Sequence, residues 1–189
     1  DRASRALAKL LRHDAASRGI YVDDEYMCAI DDILALREFR KFSREDIFHI
    51  VALSDKQRFQ LSADRCRIRA NQGHSIPIGD GGLTSLSPSM LAAFPHVIHG
   101  TYREAWPSIQ THGLSPMSRQ HIHFSAGLPG EDCVISGMRR SCEVLIWIDL
   151  AKALQAGIPF FISSNGVILS RGNADGVVPP EFFSRVVVK

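Results

Sequence analysis

Two histidines and a serine alternate with apolar residues along one short segment of the chain. His121, His123 and Ser125 are each separated by one apolar side chain, and this period of two predicts a strand with one polar and one apolar face. Two imidazoles and a hydroxyl that closely follow Arg119 indicate a cleft wall able to bind an anion or a sugar. The alternative is an ordinary edge strand whose histidines are hydrogen-bonded to their neighbours.

Further arginines and histidines occur in both halves of the chain. Guanidinium groups pair with phosphate oxygens through two parallel hydrogen bonds, so such a set favours a polyanionic substrate. The set consists of Arg12, His13, Arg58, His74, His99, Arg119, His121, His123 and Arg139. The dinucleotide fingerprint, the P-loop and the common hydrolase motifs are absent from the sequence. The two alternating histidines have no nearby carboxylate or thiolate, and we expect no metal.

The composition is that of a folded protein with reduced thiols. Of the 189 residues, 45% are hydrophobic and 22% are charged, which excludes a disordered or fibrous chain. A net charge of +2 is too small to identify a partner. The 4 cysteines form no C-x-x-C pair, which favours a cytoplasmic or nuclear location. No apolar run reaches the length of a membrane span, so we expect no membrane association.

The first part of the chain predicts three helices followed by a β-hairpin. Apolar spacing predicts helices over 3–18 and 29–39, and Ser43 is placed to begin a third. Residues 58–61 and 66–70 alternate in type on either side of a polar turn. This order is the outline of a winged helix, a module that often contacts nucleic acid. In the first helix, Arg2, Arg5 and Lys9 are interpreted as a solvated basic face.

A segment rich in glycine, proline and serine divides the chain. We predict domains at 1–75 and 96–189, joined by a linker at 76–95. The second domain combines short helices at 102–112 and 150–156 with several strands. The strands are predicted at 97–98, 121–125, 144–148, 160–162, 166–170 and 185–189. The predicted fold class is therefore α+β.

Six short motifs, in order along nearly the whole chain, resemble those of the NAD-dependent RNA 2′-phosphotransferases. The motifs are Leu10–His13, Lys56–Phe59, Arg69–Ser75, His99–Thr101, Met117–His123 and Ile135–Arg139. The resemblance implies an N-terminal winged-helix lobe that binds RNA and a C-terminal lobe of the ADP-ribosyltransferase fold that binds NAD.

The resemblance also implies a two-step reaction on spliced tRNA or another RNA with an internal 2′-phosphate. The 2′-phosphate attacks the nicotinamide ribose of the co-substrate NAD, giving a 2′-phospho-ADP-ribosyl RNA and nicotinamide. The ribose 2″-hydroxyl then attacks the phosphorus, which leaves 2′-hydroxyl RNA and ADP-ribose 1″,2″-cyclic phosphate. The first nucleophile is already an anion and needs positioning, whereas the second step needs donors that stabilise charge on the phosphate. We expect the enzyme to act as a monomer.

Site residues follow from the same motifs. The resemblance implies a catalytic group of Arg12, His13, Arg58 and Arg119. It implies that NAD is bound by His99, Gly100, Thr101, His123, Ser125, Gly137 and Arg139. The separate role of His121 stays open between a ligand contact and a packed core histidine. No E-x-E motif occurs, and an enzyme whose acceptor is a phosphate does not need the catalytic glutamate of protein-modifying ADP-ribosyltransferases.

Two other functions fit the same residues. One is ADP-ribosyl capping of nucleic-acid phosphate ends, which would stop after the first step and leave a lasting ADP-ribosylated product. The other is a non-enzymatic winged-helix protein that binds nucleic acid and would release no nicotinamide.

Overall fold

The computed structural model describes residues 2–76, 80–128, 130, 131, 134 and 137–189. The chain divides into two compact units, Asp1–Gly82 and Leu83–Lys189, and the division falls inside the segment predicted as a linker. Residues 135 and 136 of the last family motif lie outside the described part of the chain. No described helix has both the length and the apolar character needed to cross a membrane.

The first unit begins with a helix whose geometry changes along its length. Helix α1 spans Arg2–Lys9, a π-helical turn follows over Leu10–Asp14, and a 3-10 turn over Ala16–Arg18 completes it. Gly19 ends the helix with φ 76°, a conformation that a residue without a side chain adopts without strain. The helix predicted over 3–18 is confirmed, with these local departures from α geometry.

Two shorter helices complete the helical part of this unit. Helix α2 spans Ile30–Ala35 and ends earlier than predicted, because the backbone becomes extended at Leu36. Helix α3 spans Arg44–Ala52 and begins at the predicted N-cap. The Ser43 hydroxyl accepts the backbone N–H of Asp46, whose carboxylate accepts the N–H of Ser43 in return. This capping box satisfies two N–H groups at the start of the helix.

A three-stranded antiparallel sheet follows the helices. Its strands are β1 (Cys28–Ala29), β2 (Phe59–Leu61) and β3 (Arg67–Ala70), in the order β1-β3-β2. Strands β2 and β3 form the predicted hairpin. Strand β1 was not predicted, because two residues are too short to show alternation. The core between helices and sheet contains Leu7, Leu11, Ile30, Ile33, Phe39, Ile47, Phe59 and Ile68.

The second unit contains two antiparallel sheets. Their strands are β4 (Thr84–Ser85), β5 (Ile98–Thr101), β6 (Ile122–Phe124), β7 (Val144–Ile148), β8 (Phe160–Ile162), β9 (Ile168–Ser170) and β10 (Phe183–Val188). One sheet has the order β10-β7-β5 and the other the order β4-β8-β9-β6. Each strand predicted in this half has a counterpart, and the α+β class is confirmed.

The two sheets meet where β5 passes β6. Ile98 and Ser125 exchange backbone hydrogen bonds of 2.9 and 2.8 Å. This bridge brings His99 of β5 beside His123 of β6, although 24 positions separate them in the sequence. The junction therefore gathers the polar residues of both strands on one wall.

Helices α4 (Trp106–His112) and α5 (Leu150–Gln155) lie in the same unit, and both were predicted. The carboxylate of Asp149 accepts the backbone N–H of Lys152 and caps α5. Residues after Gly82 in the segment predicted as a linker belong to this unit. Its Leu86 is buried in the core, and a 3-10 turn over Pro88–Ala93 follows.

Candidate active site

A small cavity in the first unit is lined mainly by basic side chains. It measures about 230 Å³, and four of its lining residues carry a permanent positive charge. None of its lining residues is acidic. Such a concave cationic surface attracts polyanions. The lining residues are Ser4, Arg5, Ala8, Lys9, Arg12, His13 and Arg58.

The segment after β3 shapes this cavity around Arg12. Gly73 has φ 91°, and a Cβ atom at that position would lie 3.3 Å from the Arg12 Nε atom. The backbone N–H of Ser75 donates to the Arg12 carbonyl at 3.1 Å. The glycine thus leaves room for the guanidinium, and the serine holds the backbone of the arginine.

The same serine orients the imidazole of His13. The His13 Nδ1 atom and the Ser75 hydroxyl oxygen are 2.8 Å apart, a hydrogen bond between residues 62 positions apart in sequence. The bond fixes the plane of the ring and occupies Nδ1, so Nε2 is the atom that proton transfer would use. His13 is exposed and belongs to the cavity lining.

Arg58 is held by its own turn and by the segment that follows β3. Its backbone N–H donates to the Ser54 hydroxyl at 3.1 Å, and its guanidinium donates to the Asp55 carboxylate at 3.0 Å. The backbone N–H of Asn71 donates to the Arg58 carbonyl at 2.9 Å. Since the Asp55 side chain is 75% exposed, water screens this ion pair and the arginine can still bind another anion.

His74 does not line the cavity. It is buried, and its ring lies 5.8 Å from the ring of Tyr26, measured between centroids. This histidine of the polyanion-binding set is therefore a core residue of the first unit.

A larger cavity lies in the second unit, along the wall formed by β5 and β6. Its volume of about 550 Å³ is in the range of sites that bind small molecules. Five residues from the sequence analysis line it, namely His99, Thr101, Arg119, His121 and His123. Apolar residues also contribute, among them Ile109, Leu114, Ile122 and Val177.

His99 is a neutral hydrogen-bonding group of this second cavity. Burial lowers the pKa of His99 from its usual value, and the hydrogen bond to the His123 carbonyl offsets this only in part. Because a carbonyl only accepts, the His99 Nδ1 atom carries the proton in this 2.9 Å bond. The neutral ring therefore presents Nε2 as an acceptor for a hydroxyl or an amide.

His121 both packs in the core and borders the second cavity. It is 5% exposed, and its ring meets the edge of Phe161 with centroids 6.0 Å apart. It also belongs to the cavity lining. The two roles left open by the sequence are thus compatible for this residue.

Three predicted cofactor residues lie behind the cavity wall and are not part of its lining. A Cβ atom at Gly100 would lie 2.4 Å from Met138, because this residue faces the side of β5 opposite His99 and Thr101. The buried hydroxyl of Ser125 donates to the Gly127 carbonyl at 2.7 Å. A Cβ atom at Gly137 would lie 2.8 Å from the Phe124 carbonyl oxygen. These contacts give each residue a packing role.

Arg139 is also outside the lining of the second cavity. It is exposed and contacts Tyr102, which directly follows β5. Hydrogen bonds to Ser141 and then to Arg139 lower the pKa of the Tyr102 hydroxyl. No cluster of three or more His, Cys, Asp or Glu side chains suited to a metal ion occurs in the described part of the chain.

Comparison with known proteins decides the reaction class. The model of the family described as "RNA 2'-phosphotransferase, Tpt1 / KptA family" matches residues 1–172. The chain belongs to this RNA 2′-phosphotransferase family. It is 45% identical to tRNA 2'-phosphotransferase 1 of Danio rerio over 97% of its own length and 84% of the relative. It is 46% and 43% identical to the proteins of that name in Bos taurus and Homo sapiens, over 97% of its length and 74% of each relative.

The chain is therefore an RNA 2′-phosphotransferase, and the predicted transferase activity is confirmed. Family membership favours this enzyme over a non-enzymatic nucleic-acid-binding protein. The roles of the individual site residues stay predictions, now placed in two cavities. Arg12, His13 and Arg58 share the first, whereas Arg119 shares the second with His99, Thr101 and His123.

Sequence reasoning about the phosphotransferase missed several residues of these cavities. Ser75 was noted within a motif but had no role, although it holds both Arg12 and His13. Arg5 and Lys9 were interpreted as a solvated face, yet they line the first cavity. Their spacing from Arg12 on one helix was the available signal, and it could not show what packs beside them.

Proposed function

We propose that the enzyme removes the internal 2′-phosphate of spliced tRNA with NAD as the phosphate acceptor. The observation that carries this proposal is the grouping of Arg12, His13 and Arg58 in a cationic cavity without acidic lining residues. The names of the relatives, tRNA 2'-phosphotransferase 1, support tRNA as the substrate.

The two guanidinium groups suit the anion that reacts first. The RNA 2′-phosphate is already a nucleophile. Arg12 and Arg58 therefore act by positioning one phosphate oxygen for attack on the ribose carbon of NAD and by pairing with the negative charge of the other oxygens. Arg119, which lines the second cavity, is proposed as a further phosphate-binding arginine. None of the three is replaceable by a neutral side chain, because the phosphate would lose part of its positioning.

His13 serves the second step, in which the RNA 2′-oxygen leaves phosphorus. The departing oxygen needs a proton, and a protonated imidazole can supply one as a general acid. The 2.8 Å hydrogen bond to Ser75 keeps Nδ1 occupied and directs Nε2 to this task. The proton balance closes because the attacking ribose 2″-hydroxyl releases a proton as the 2′-oxygen takes one up.

The second cavity suits the co-substrate. NAD supplies an electrophilic ribose carbon with nicotinamide as its leaving group. A volume of about 550 Å³, apolar walls and the acceptor Nε2 of neutral His99 fit part of a dinucleotide. Thr101 and His123 add polar groups on the same wall. Gly100, Ser125 and Gly137 support that wall from behind, and Arg139 is proposed to meet a phosphate outside it.

We also propose that the two units are the winged-helix and ADP-ribosyltransferase lobes of the family. Three helices followed by a β-hairpin support the first assignment. Two antiparallel sheets that meet beside a small-molecule cavity support the second.

The described cysteines Cys28, Cys66 and Cys142 are free thiols, which supports a reducing cytoplasmic or nuclear compartment. A monomer stays a prediction that light scattering after size-exclusion chromatography tests.

The test follows the fate of both substrates in single-turnover reactions. A 2′-phosphorylated oligoribonucleotide and NAD are mixed with Arg12→Ala, Arg58→Ala and Arg119→Ala, and nicotinamide release and phosphate loss are measured. We expect each variant to lose dephosphorylation while keeping its circular dichroism spectrum. Arg40→Ala removes an exposed arginine outside the described cavities and is the matched control. Parental rates in all three variants would show that the catalytic assignment is wrong.

The same reaction separates dephosphorylation from capping. Removal of a 2′-phosphate leaves RNA with a free 2′-hydroxyl, and an ADP-ribosylated RNA is only transient. A lasting ADP-ribosylated product on both internal and terminal phosphates would favour capping. His99→Ala should raise the KM for NAD more than the KM for RNA, because the proposed contact is with the co-substrate.

A further inference from the structure

The first cavity, in which Arg12 and Arg58 are proposed to hold the 2′-phosphate, contains more positive charge than one phosphate group requires. Arg5 and Lys9 of α1 line it together with Arg12 and Arg58. A phosphate monoester carries a charge of only about −1.5 to −2 near pH 7. Four cationic side chains therefore indicate a second anion in the same cavity.

The two additional cations lie on α1, and Arg12 lies on the same side of the π-helical turn that continues it. Positions 5, 9 and 12 are separated by four and three residues, a spacing that places side chains on one side of a helix. The opposite side carries Leu7 and Leu10, which are buried in the core. Core packing thus fixes the direction in which the basic face of α1 points.

Water screens the ion pairs that Lys9 and Arg58 form with acidic neighbours. The Lys9 Nζ atom lies 3.7 Å from an Asp14 carboxylate oxygen, but the lysine side chain is 71% exposed and water screens the pair. The Asp55 carboxylate beside Arg58 is similarly exposed. Neither carboxylate belongs to the lining of the cavity.

Helix α3, the other candidate RNA-binding surface of this unit, has a less suitable charge pattern. Its first turn carries Glu45 and Asp46. The guanidinium of Arg44 is bound to Asp31 through two hydrogen bonds of 2.9 and 2.5 Å. The basic face of α1 is therefore the better surface for an RNA backbone.

We propose that Arg5 and Lys9 bind the phosphodiester on the 3′ side of the ribose that carries the 2′-phosphate. A ribose inside an RNA chain bears that phosphodiester on the carbon next to the 2′-position. An internal 2′-phosphate therefore presents two anions on adjacent carbons, and a single cavity with four cations can hold both. The contact makes the enzyme selective for internal 2′-phosphates over isolated ones. This inference rests on the proposed role of Arg12 and Arg58.

A chemical double-mutant cycle tests the contact. Two oligoribonucleotides carry the same internal 2′-phosphate, one with a phosphodiester and one with an uncharged methylphosphonate at the 3′ linkage. On the phosphodiester substrate we expect Arg5→Ala and Lys9→Ala each to lower kcat/KM about tenfold or more, since a charge-assisted contact is lost. On the methylphosphonate substrate, which the parent enzyme already processes more slowly, neither variant should lose further activity.

Salt dependence gives an independent measurement of the same contact. For single-stranded nucleic acid, each phosphate contact contributes about 0.7 to the slope of log affinity against log salt concentration. The double variant with Arg5→Ala and Lys9→Ala, which removes the whole proposed contact, should lose about that much of the slope for the phosphodiester substrate. Arg40→Ala should keep both the parental slope and the parental rates, because it removes the same charge outside the cavity.

The outcomes distinguish this inference from the function it rests on. Equal losses on both substrates in Arg5→Ala and Lys9→Ala, or parental behaviour of both variants, would overturn the phosphodiester contact while Arg12→Ala remains inactive. Parental rates in Arg12→Ala on both substrates would instead overturn the proposed phosphate site itself. All variants are compared at equal folded fraction, measured by circular dichroism.

Discussion

Replacing Gly73 by alanine tests whether this glycine exists to make room for Arg12. The residue has φ 91°, and a Cβ atom would lie 3.3, 3.4 and 3.5 Å from Nε, Cζ and Cδ of Arg12. The first distance is shorter than an ordinary van der Waals contact. The guanidinium would therefore have to move by a few tenths of an ångström.

Two separate effects of Gly73→Ala can be estimated. An alanine with positive φ costs about 1–2 kcal/mol in the folded state, and the stiffer unfolded chain returns about 0.4–1 kcal/mol. The net loss of unfolding free energy is then about 1 kcal/mol, or about 4–8 °C in Tm for a unit of this size. A 1 Å misplacement at a reaction centre can cost about a hundredfold in rate, so the smaller displacement of Arg12 should lower kcat/KM about tenfold.

Gly19→Ala is the matched control. Gly19 lies in the same unit with φ 76°, and nothing lies within 4 Å of a Cβ atom built there. Both variants should lose similar stability in thermal melts, whereas single-turnover dephosphorylation should fall only in Gly73→Ala. Equal kcat/KM for the two variants at a temperature where both are folded would refute the contact with Arg12 as the cause.

Three further outcomes follow from the hydrogen bonds and ionisation of the described residues. Ser75→Ala should lower the rate of the second step about fivefold to tenfold, because it releases the imidazole of His13. Ser75→Thr keeps the hydroxyl and should recover most of the lost rate. Equal rates in the two variants would contradict the orienting role of the hydroxyl. Because the pKa of His99 is lowered on folding, the unfolded state binds the extra proton, so the stability of the second unit should fall as pH drops below about 6.5. Chemical denaturation at several pH values should show a weaker pH dependence of the unfolding free energy in His99→Gln. An unchanged pH dependence would show that His99 does not cause it. Burial, and then nearby carboxylates, raise the pKa of the Cys28 thiol to about 11. Peptide mapping after alkylation at pH 7.5 should therefore find the exposed Cys66 modified and Cys28 intact. Alkylation of Cys28 in the native protein would contradict its burial.

Much of the local structure was predictable from the sequence alone. The Ser43 cap, the alternating strand of His123 and the hairpin of the first unit all depend on side chains a few positions apart. Such short-range patterns encode the direction of each side chain relative to its own element. Six ordered motifs also predicted the reaction class, because similar residue types recur in enzymes that perform the same chemistry.

Only the tertiary structure decided which of these side chains share a cavity. The hydrogen bond between His13 and Ser75 joins residues 62 positions apart, and no local pattern contains it. Strand alternation places Gly100 on the side of β5 opposite His99, but only the tertiary structure shows that Met138 packs there. Arg5 is a surface residue by its helical position, and it becomes a cavity residue through the elements that pack beside α1. Local periodicity sets the face on which a side chain lies, whereas long-range packing decides what that face meets.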